Sequence, residues 1–178
     1  MNYKIIESDI LFRGKVFDLR IDKIKYNSGN EGIREIAVHP GGAVVLPVKD
    51  DGKLVMVSQF RYPFEKFMLE FPAGKLDHNE DPEVCALREL QEETGYTAGS
   101  IQKLGSISTT PGFCTEVLHL FMATGLTPGE HNREEGEFEM QVEEFTFKEI
   151  EEKILYGEIV DSKSICSLYL ASKFLNKK

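Results

Sequence analysis

The sequence lacks long apolar runs, is poor in cysteine and carries no excess of positive charge. No segment approaches the run of about 18 apolar residues that a membrane-spanning helix requires. The three cysteines (Cys85, Cys114 and Cys166) are widely spaced and odd in number, which fits neither a disulfide framework nor a metal-binding pattern. Cys85 and Cys166 fall in apolar helical patterns and are expected to be buried free thiols. The net charge of −9 argues against a general nucleic-acid-binding protein.

The N-terminus also lacks the apolar segment of a secretory signal. Residues 1–15 include acidic residues instead, so we expect a cytoplasmic protein. The 178 residues and the hydrophobic content of 41% suffice for one domain with a core and a small extension. If such an acidic protein acts on an anionic ligand, local positive charge must come from arginine, lysine or a bound metal.

What the sequence does contain is a mixture of strand and helix patterns. Alternating or apolar segments predict strands at 3–12, 15–26, 34–39, 43–48, 54–60 and about 100–107, 116–122 and 138–147. A polar loop is expected at 127–137, and amphipathic helices at 148–158 and 162–175. Because the pattern has no regular βαβ alternation, the expected fold is α/β of the α+β type, with a mixed sheet and helices on both faces.

The clearest helix is predicted at 82–94. Asp81 can cap its N-terminus, Pro82 suits its first position and Gly95 can end it. Its apolar side is expected to contain Val84, Leu87 and Leu90.

The same helix carries a high concentration of negative charge. Glu89 and Glu93 lie one helical turn apart, and Glu92 is three positions after Glu89. Like charges at this spacing repel, and Arg88 can pair with Glu92. One explanation is a charged face exposed to solvent. The other is a cradle for a hard cation such as Mg²⁺, which prefers oxygen ligands, with Gly74 allowing the preceding loop to pass close by.

The spacing of these residues decides between the two explanations. From Gly74 to Tyr96 the sequence fits the pattern Gly-x5-Glu-x7-Arg-Glu-U-x-Glu-Glu-x-Gly-U, where U is apolar. Every fixed position matches, and only Tyr96, at the last U, is a mild departure. A chance match of the seven fixed positions is on the order of one in a million for a chain of this length. The stretch resembles the Nudix box.

Resemblance to the Nudix family implies an α/β/α sandwich and hydrolysis of a nucleoside diphosphate linked to another group. It implies Mg²⁺ as the cofactor, with Mn²⁺ able to substitute, and four metal ligands: Glu89, Glu92, Glu93 and the main-chain carbonyl of Ala73. Arg88 would orient the carboxylates and Glu80 would brace the loop before the helix. Metal ions at this position would neutralise charge on the diphosphate and lower the pKa of an attacking water.

Other segments resemble the ADP-ribose pyrophosphatase subgroup of the family. Pro111 lies 16 residues after Gly95, as in that subgroup. The order and spacing of three further segments agree with it: 34–47, 59–63 and 69–74. Taken alone, Thr-Pro-Gly around Pro111 would indicate an ordinary turn.

The resemblance assigns substrate-binding roles outside the box. Arg61 would contact the diphosphate or the terminal ribose, although paired surface charges are the simpler explanation of such residues. Arg34 and Glu35 would reach the nucleotide, in the same subunit or across a dimer interface. Phe17 is a candidate for stacking on adenine, and a core phenylalanine is equally consistent with the sequence. The remaining substrate-binding candidates are Glu70, Pro111 and Gly112.

The resemblance also implies a division of the chain and a homodimer. Residues 1–40 would form a small antiparallel sheet that builds the dimer, either with or without exchange of strands between subunits. Residues 41–178 would form the Nudix domain, with the box at 74–96. From the sequence itself, residues 1–40 would be hard to bury within one small domain.

The general base is expected in the polar loop before the last strand. Glu137 is the first candidate because it closes this loop, and Glu139 and Glu135 follow; Glu137 could also add a metal contact. In the implied reaction the base deprotonates a water that attacks the adenosyl phosphorus of ADP-ribose in line. The products are AMP and ribose 5-phosphate.

Two alternative functions stay open at this stage. The first is hydrolysis of another nucleoside diphosphate sugar, such as a GDP- or UDP-linked hexose. The second is a non-catalytic Nudix module that senses a nucleotide. Such modules usually lack box carboxylates, all of which are present here.

Overall fold

The computed structural model describes residues 2–133 and 138–175. The chain forms two compact units, one of residues 1–41 and 108–117 and the other of residues 42–107 and 118–178. The described residues contain ten strands and three α-helices. None of these helices is both long enough and apolar enough to cross a membrane.

The N-terminal unit is built on a three-stranded antiparallel sheet, whose strands the sequence pattern predicted and whose antiparallel arrangement the family resemblance implied. Its strands are, in spatial order, β1 (Tyr3–Arg13), β2 (Asp18–Tyr26) and β3 (Glu31–Val38). Gly29 has a φ of 91° in the turn between β2 and β3, a conformation that glycine adopts without steric cost. The segment 108–117 joins the unit through a hydrogen bond from Ala37 N to Phe113 O at 2.8 Å.

β1 exposes many apolar side chains in this unit. All eleven of its residues are exposed. Five large apolar side chains each keep at least 41% of their accessible surface: Ile5, Ile6, Ile10, Leu11 and Phe12. β1 therefore presents an uncovered apolar surface in the single chain.

The larger unit contains two sheets. The first has the order β7-β4-β9-β8, made of β4 (Gly42–Pro47), β7 (Ala73–Lys75), β8 (Tyr96–Ser108) and β9 (Val117–Pro128). β4 runs parallel to β9 and antiparallel to β7, so this sheet is mixed, as predicted. The second sheet is antiparallel with the order β10-β5-β6, made of β5 (Leu54–Arg61), β6 (Lys66–Glu70) and β10 (Gln141–Phe145).

β4 is buried along its whole length because helices pack on both sides of its sheet. The helices are α1 (Pro82–Thr94), α2 (Phe147–Leu155) and α3 (Ser162–Leu175). Val44 and Leu46 belong to a cluster that includes side chains of α2 and α3, whereas Ala43 and Val45 pack with side chains of α1. The α/β/α arrangement with a mixed sheet confirms the expected fold class.

α1 has the ends that the sequence predicted. The side chain of Asp81 accepts a hydrogen bond from Glu83 N at 2.8 Å, Pro82 is the first helical residue, and Gly95 ends the helix at a φ of 78°. The predicted apolar side was wrong in part, because Val84 is 57% exposed. Two glutamates are among the buried residues of the helix instead. The buried residues are Cys85, Ala86, Glu89, Leu90, Glu93 and Thr94.

Several strand bounds differ from the prediction because pairing with distant strands fixes them. β6 and β7 were not predicted; β6 pairs with β5 and β7 pairs with β4. β8 and β9 extend beyond the predicted 100–107 and 116–122, so β9 takes the first two residues of the expected polar loop. β10 is shorter than the predicted 138–147. Cys85 is buried as expected, whereas Cys166 is only partly buried.

Candidate active site

The C-terminal half of α1 forms the centre of the candidate site. Glu89 and Glu93 are 8% and 2% exposed, and the side chain of Glu92 is 30% exposed. Buried carboxylates are unfavourable unless charged or polar groups compensate for the lost water. The contacts of these carboxylates therefore define the site.

Gly74 lets β7 pass directly beside Glu89, as the sequence predicted. A Cβ atom at this position would lie 1.8 Å from Glu89 Oε1 and 2.1 Å from its Cδ. On the other side of β7, a Cβ at Gly42 of β4 would lie 2.5 Å from Gly74 O. Glycine is needed at both positions because β4, β7 and α1 approach one another so closely.

The main chain of Ala73 contacts the second buried carboxylate. Ala73 N donates a hydrogen bond to Glu93 Oε2 at 3.3 Å. Pro72 O accepts a hydrogen bond from Val45 N at 2.9 Å, which ties this loop to β4. The loop that was expected to supply a carbonyl ligand is therefore adjacent to Glu93.

Arg88 binds three carboxylates at once. Its Nε and Nη2 atoms donate to the two oxygens of Glu80 at 2.9 and 3.0 Å, and its Nη1 atom donates to Glu89 Oε1 at 2.6 Å and to Glu92 Oε2 at 2.9 Å. Glu80 Oε2 also accepts from Asp77 N at 2.9 Å. One guanidinium thus links the loop before α1 to the carboxylates that were predicted as metal ligands.

These contacts change the protonation behaviour of the groups involved. The hydrogen bonds from Arg88 lower the pKa of Glu80 to about 2, and the hydrogen bonds to Glu80 raise the pKa of Arg88. Beneath them, burial raises the pKa of the Cys85 thiol to about 12. Glu80 and Arg88 therefore stay charged, and Cys85 stays protonated, across the neutral range.

Arg61 and Glu70 form a second charged group of the larger unit. Arg61 Nε donates to Glu70 Oε1 at 2.8 Å and Arg61 Nη2 donates to Glu70 Oε2 at 2.6 Å. Lys163, at the start of α3, donates to the same Oε2 atom. Both predicted residues are therefore in contact, but their lysine partner was not identified from the sequence.

Arg133 joins the end of α1 to both sides of the segment that was expected to hold the base. Its Nε and Nη2 atoms donate to Glu93 O at 3.0 and 2.8 Å, and its Nη1 atom donates to Met140 O at 2.5 Å. Asn132 N donates to Glu92 O at 3.2 Å. Glu135 and Glu137 lie outside the described residues, and Glu139 is exposed in a turn.

Four predicted substrate-binding residues line one cavity of the N-terminal unit. The cavity has a volume of about 430 Å³ and is lined by Arg34, Glu35, Pro111 and Gly112, with Arg20 and Asp22 among the other lining residues. Arg34 Nη1 donates to Ile33 O at 2.7 Å. Phe17 is 43% exposed and is not among the lining residues.

Comparison with known protein families agrees with the arrangement around α1. The NUDIX domain family matches residues 38–166, a range that contains the whole box and most of the larger unit. The chain belongs to the Nudix family.

Curated relatives of this Nudix protein cover nearly its whole length. It is 43% identical to an ADP-ribose pyrophosphatase of Bacillus subtilis (strain 168), over 96% of this chain and 93% of the relative. It is 41% identical to a methanol dehydrogenase activator of Bacillus methanolicus, over 93% and 90% of the two chains. It is 34% identical to a GDP-mannose pyrophosphatase of Yersinia enterocolitica, over 96% of each.

A solved structure has the same fold. The crystal structure of an ADP compounds hydrolase aligns with a TM-score of 0.88 at 19% identity, and the alignment covers 99% of this chain and 96% of that one. At this identity the likeness concerns the fold.

Nudix hydrolases generally need a divalent metal ion, and the donor set of this site fits one. Glu89, Glu92 and Glu93 supply carboxylate oxygens, which hard divalent cations prefer. The absence of a side chain at Gly74 lets the Glu89 carboxylate lie directly against the main chain of β7, where a Cβ would overlap it. In the described ranges, no three His, Cys, Asp or Glu side chains are gathered as an ion-binding group. Arg88 instead occupies oxygens of Glu89 and Glu92.

Replacing Gly74 by alanine should disrupt the site, because the new methyl group would overlap Glu89. We expect Mn²⁺ affinity, measured by calorimetry, to fall by at least about tenfold, and the free energy of unfolding to fall by roughly 1–3 kcal/mol, as for an overpacked core. Gly105→Ala is the control, since the nearest atom to its Cβ would be the flexible Leu170 Cδ1 at 3.2 Å. Unchanged Mn²⁺ affinity in Gly74→Ala would contradict the assignment.

The pair of Glu80 and Arg88 should make the free energy of unfolding depend on pH in the acid range. Because folding lowers the pKa of Glu80 from 4.5 to about 2, its contribution is complete above pH 4.5 and is lost as the pH falls toward 2. Urea unfolding across this range should show a shallower loss of stability in Glu80→Gln than in the original chain. Glu152→Gln is the control, since its partner Lys148 lies 3.6 Å away and both are exposed. Parallel curves for the original chain and Glu80→Gln would refute this contribution.

Proposed function

We propose that this Nudix protein is an ADP-ribose pyrophosphatase that hydrolyses ADP-ribose to AMP and ribose 5-phosphate. The complete acidic site carries the proposal, since every box carboxylate is present and Glu89 and Glu93 are buried beside the main chain of Ala73 and Gly74. The similarity to the Bacillus subtilis enzyme of that name supports the choice of substrate.

Mg²⁺, with Mn²⁺ as a substitute, is the proposed cofactor. Glu89, Glu92, Glu93 and the carbonyl of Ala73 would hold it, and Glu137 is proposed as an additional ligand. When bound, the cation neutralises charge on the diphosphate and lowers the pKa of the attacking water. Arg88 has the separate role of holding the carboxylates in place against their mutual repulsion.

Arg61 is proposed to bind the diphosphate or the terminal ribose. Two of its three side-chain nitrogens are engaged by Glu70. Within the described residues Nη1 donates no hydrogen bond, so it is available to an anionic oxygen. A guanidinium suits phosphate because it stays charged and its donors have a fixed planar arrangement.

The nucleotide part is proposed to bind in the cavity of the N-terminal unit. Arg34, Glu35, Pro111 and Gly112 are assigned to it because all four line that cavity. The cavity that serves a given acidic site would belong to the same subunit or to the second copy in a dimer. Phe17 stays a candidate for stacking on adenine because its ring is partly exposed.

The general base is proposed to be a glutamate between Arg133 and Met140. Glu137 is the first candidate, followed by Glu139 and Glu135. The contacts of Arg133 with Glu93 O and Met140 O keep both ends of this segment at the end of α1. This base would take the proton of a water that attacks the adenosyl phosphorus.

A GDP- or UDP-linked hexose is the alternative substrate, and the similarity to a GDP-mannose pyrophosphatase favours the GDP form. The name of the Bacillus methanolicus relative specifies no hydrolysed bond, so it does not distinguish between substrates. A non-catalytic sensor is disfavoured because the box carboxylates are all present. The expected cytoplasmic location stays a prediction from the sequence.

Hydrolysis of ADP-ribose should be fast and should depend on Mg²⁺. The measurement is a substrate panel of ADP-ribose, ADP-glucose, GDP-mannose, UDP-glucose and diadenosine polyphosphates, with the products identified. We expect AMP and ribose 5-phosphate from ADP-ribose as the main activity. A preference for GDP-mannose would keep the Nudix assignment and replace the substrate. Tight ADP-ribose binding without turnover of any compound would indicate the sensor.

The same assay tests the role of the buried carboxylate. Glu93→Gln should lower kcat by at least about a hundredfold with little effect on the fold, because it removes negative charge where the cation is needed. Glu83→Gln, which changes an exposed glutamate in the first turn of the same helix, is the matched control and should be fully active. Full activity of Glu93→Gln would overturn the assignment of the site.

We also propose a homodimer built through the N-terminal strands, with or without strand exchange. The exposed apolar residues of β1 support it, since monomeric proteins rarely leave such surface uncovered. Contact with a second copy would remove these side chains from water.

Light scattering should give a mass twice that of one chain. Leu11→Asp should shift the protein toward the monomer, because Leu11 is 67% exposed in one chain and an aspartate there would oppose burial in the dimer. Leu155→Asp is the control, as Leu155 is 82% exposed on α2. A monomeric original chain would refute the dimer, and a dimer that survives Leu11→Asp would place the interface elsewhere.

A further inference from the structure

Four charged side chains of the larger unit form a series of alternating sign that ends at Arg61. Arg61 binds both oxygens of Glu70, and Lys163 Nζ donates to Oε2 of the same carboxylate. Lys163 Nζ also lies 3.0 Å from Asp161 Oδ1. The order is therefore a cation at Arg61, an anion at Glu70, a cation at Lys163 and an anion at Asp161.

Arg61 is the most exposed member of the series and Glu70 is the most buried. The side chain of Arg61 is 35% exposed, compared with 3% for Glu70, 12% for Lys163 and 14% for Asp161. Burial alone would raise the pKa of Glu70, but the hydrogen bond from Arg61 and the charge of Lys163 outweigh it and lower the pKa. Because an isolated buried charge is very unfavourable, Glu70 depends on both cations.

The Asp161 end of the series is fixed by the first turn of α3. Asp161 accepts hydrogen bonds from Ser164 N at 3.0 Å and from Ser164 Oγ at 2.6 Å. Ser164 Oγ in turn accepts from Phe71 N at 2.8 Å, and Phe71 directly follows Glu70. The side chain of Glu70 and the main chain after it are thus both attached to the start of α3.

We propose that Lys163 is a positioning residue that acts on the substrate through Arg61. By binding Oε2 of Glu70, Lys163 fixes the plane of the carboxylate so that both oxygens meet the guanidinium. Arg61 is then held in one orientation, with Nη1 left for an anionic group of the substrate. Holding the side chain in advance reduces the conformational entropy that would otherwise be lost on binding.

This inference rests on the proposed function, because it assigns Lys163 to the site that binds the diphosphate or ribose. It adds a residue that no motif in the sequence indicates. Lys163 lies outside the Nudix box, and its contact with Glu70 joins residues 93 positions apart.

A double-mutant cycle tests whether Lys163 acts through Arg61. The variants are Lys163→Met, Arg61→Gln and the combination, and the readouts are KM and kcat for ADP-ribose. Lys163→Met should raise KM about tenfold with kcat changed less than about twofold, which indicates lost binding rather than lost chemistry. In the Arg61→Gln background, Lys163→Met should have no further effect, since the residue through which it acts is gone.

Two further variants separate positioning from general destabilisation. Lys163→Arg keeps the charge and should return KM most of the way to the value of the original chain, unlike Lys163→Met. Lys153→Met is the matched control, because Lys153 pairs with Glu158 at 2.6 Å on the surface of the same unit. It should leave KM unchanged.

The failure of this inference can be told apart from failure of the proposed function. Equal effects of Lys163→Met in both backgrounds, or an unchanged KM, would overturn the positioning role. If the original chain hydrolyses nothing, the proposed function fails. The same cycle measured on ADP-ribose affinity by calorimetry, in the Glu93→Gln background, still decides whether Lys163 and Arg61 are coupled.

Discussion

The burial of two glutamates on one face of α1 is the constraint on which the rest of the structure depends. Glu89 and Glu93 would repel each other and the neighbouring Glu92, and neither buried carboxylate is surrounded by water. Two hydrogen-bond donors compensate for the lost water: the guanidinium of Arg88 binds Glu89, and the main-chain N–H of Ala73 binds Glu93. The contact with Ala73 requires β7 to run close to the helix, and this close approach requires glycine at position 74 of β7, where a Cβ would overlap Glu89.

The ends of α1 and the main strands could be predicted because their signals are local. A capping aspartate, a proline and a terminal glycine define the helix without any reference to distant residues. The buried face was predicted less well. The usual rule that apolar side chains are buried and charged ones exposed would bury Val84 and expose Glu89 and Glu93, which is the reverse of what the structure has. The helix reverses this preference where it carries function, which is where local rules are expected to fail.

The remaining parts of the site depend on contacts between residues far apart in the sequence. Lys163 reaches Glu70 across 93 positions, and Arg133 reaches Glu93 across 40. A single lysine or arginine in a polar stretch gives no periodic signal, so neither residue stood out. β6 and β7 were missed for the same reason, since they are too short to be recognised without the strands that they pair with.

The thiol of Cys85 gives the acidic helix an internal chemical reporter. Its side chain is fully buried beneath β7, near the carbonyls of Gly74 and Lys75, and its high pKa keeps it protonated. Thiolates, not thiols, react with oxidants and alkylating reagents, so this cysteine is inert while α1 is in place. It becomes reactive only when the helix separates from the strand. The rate of its labelling therefore measures the free energy of local opening at the site.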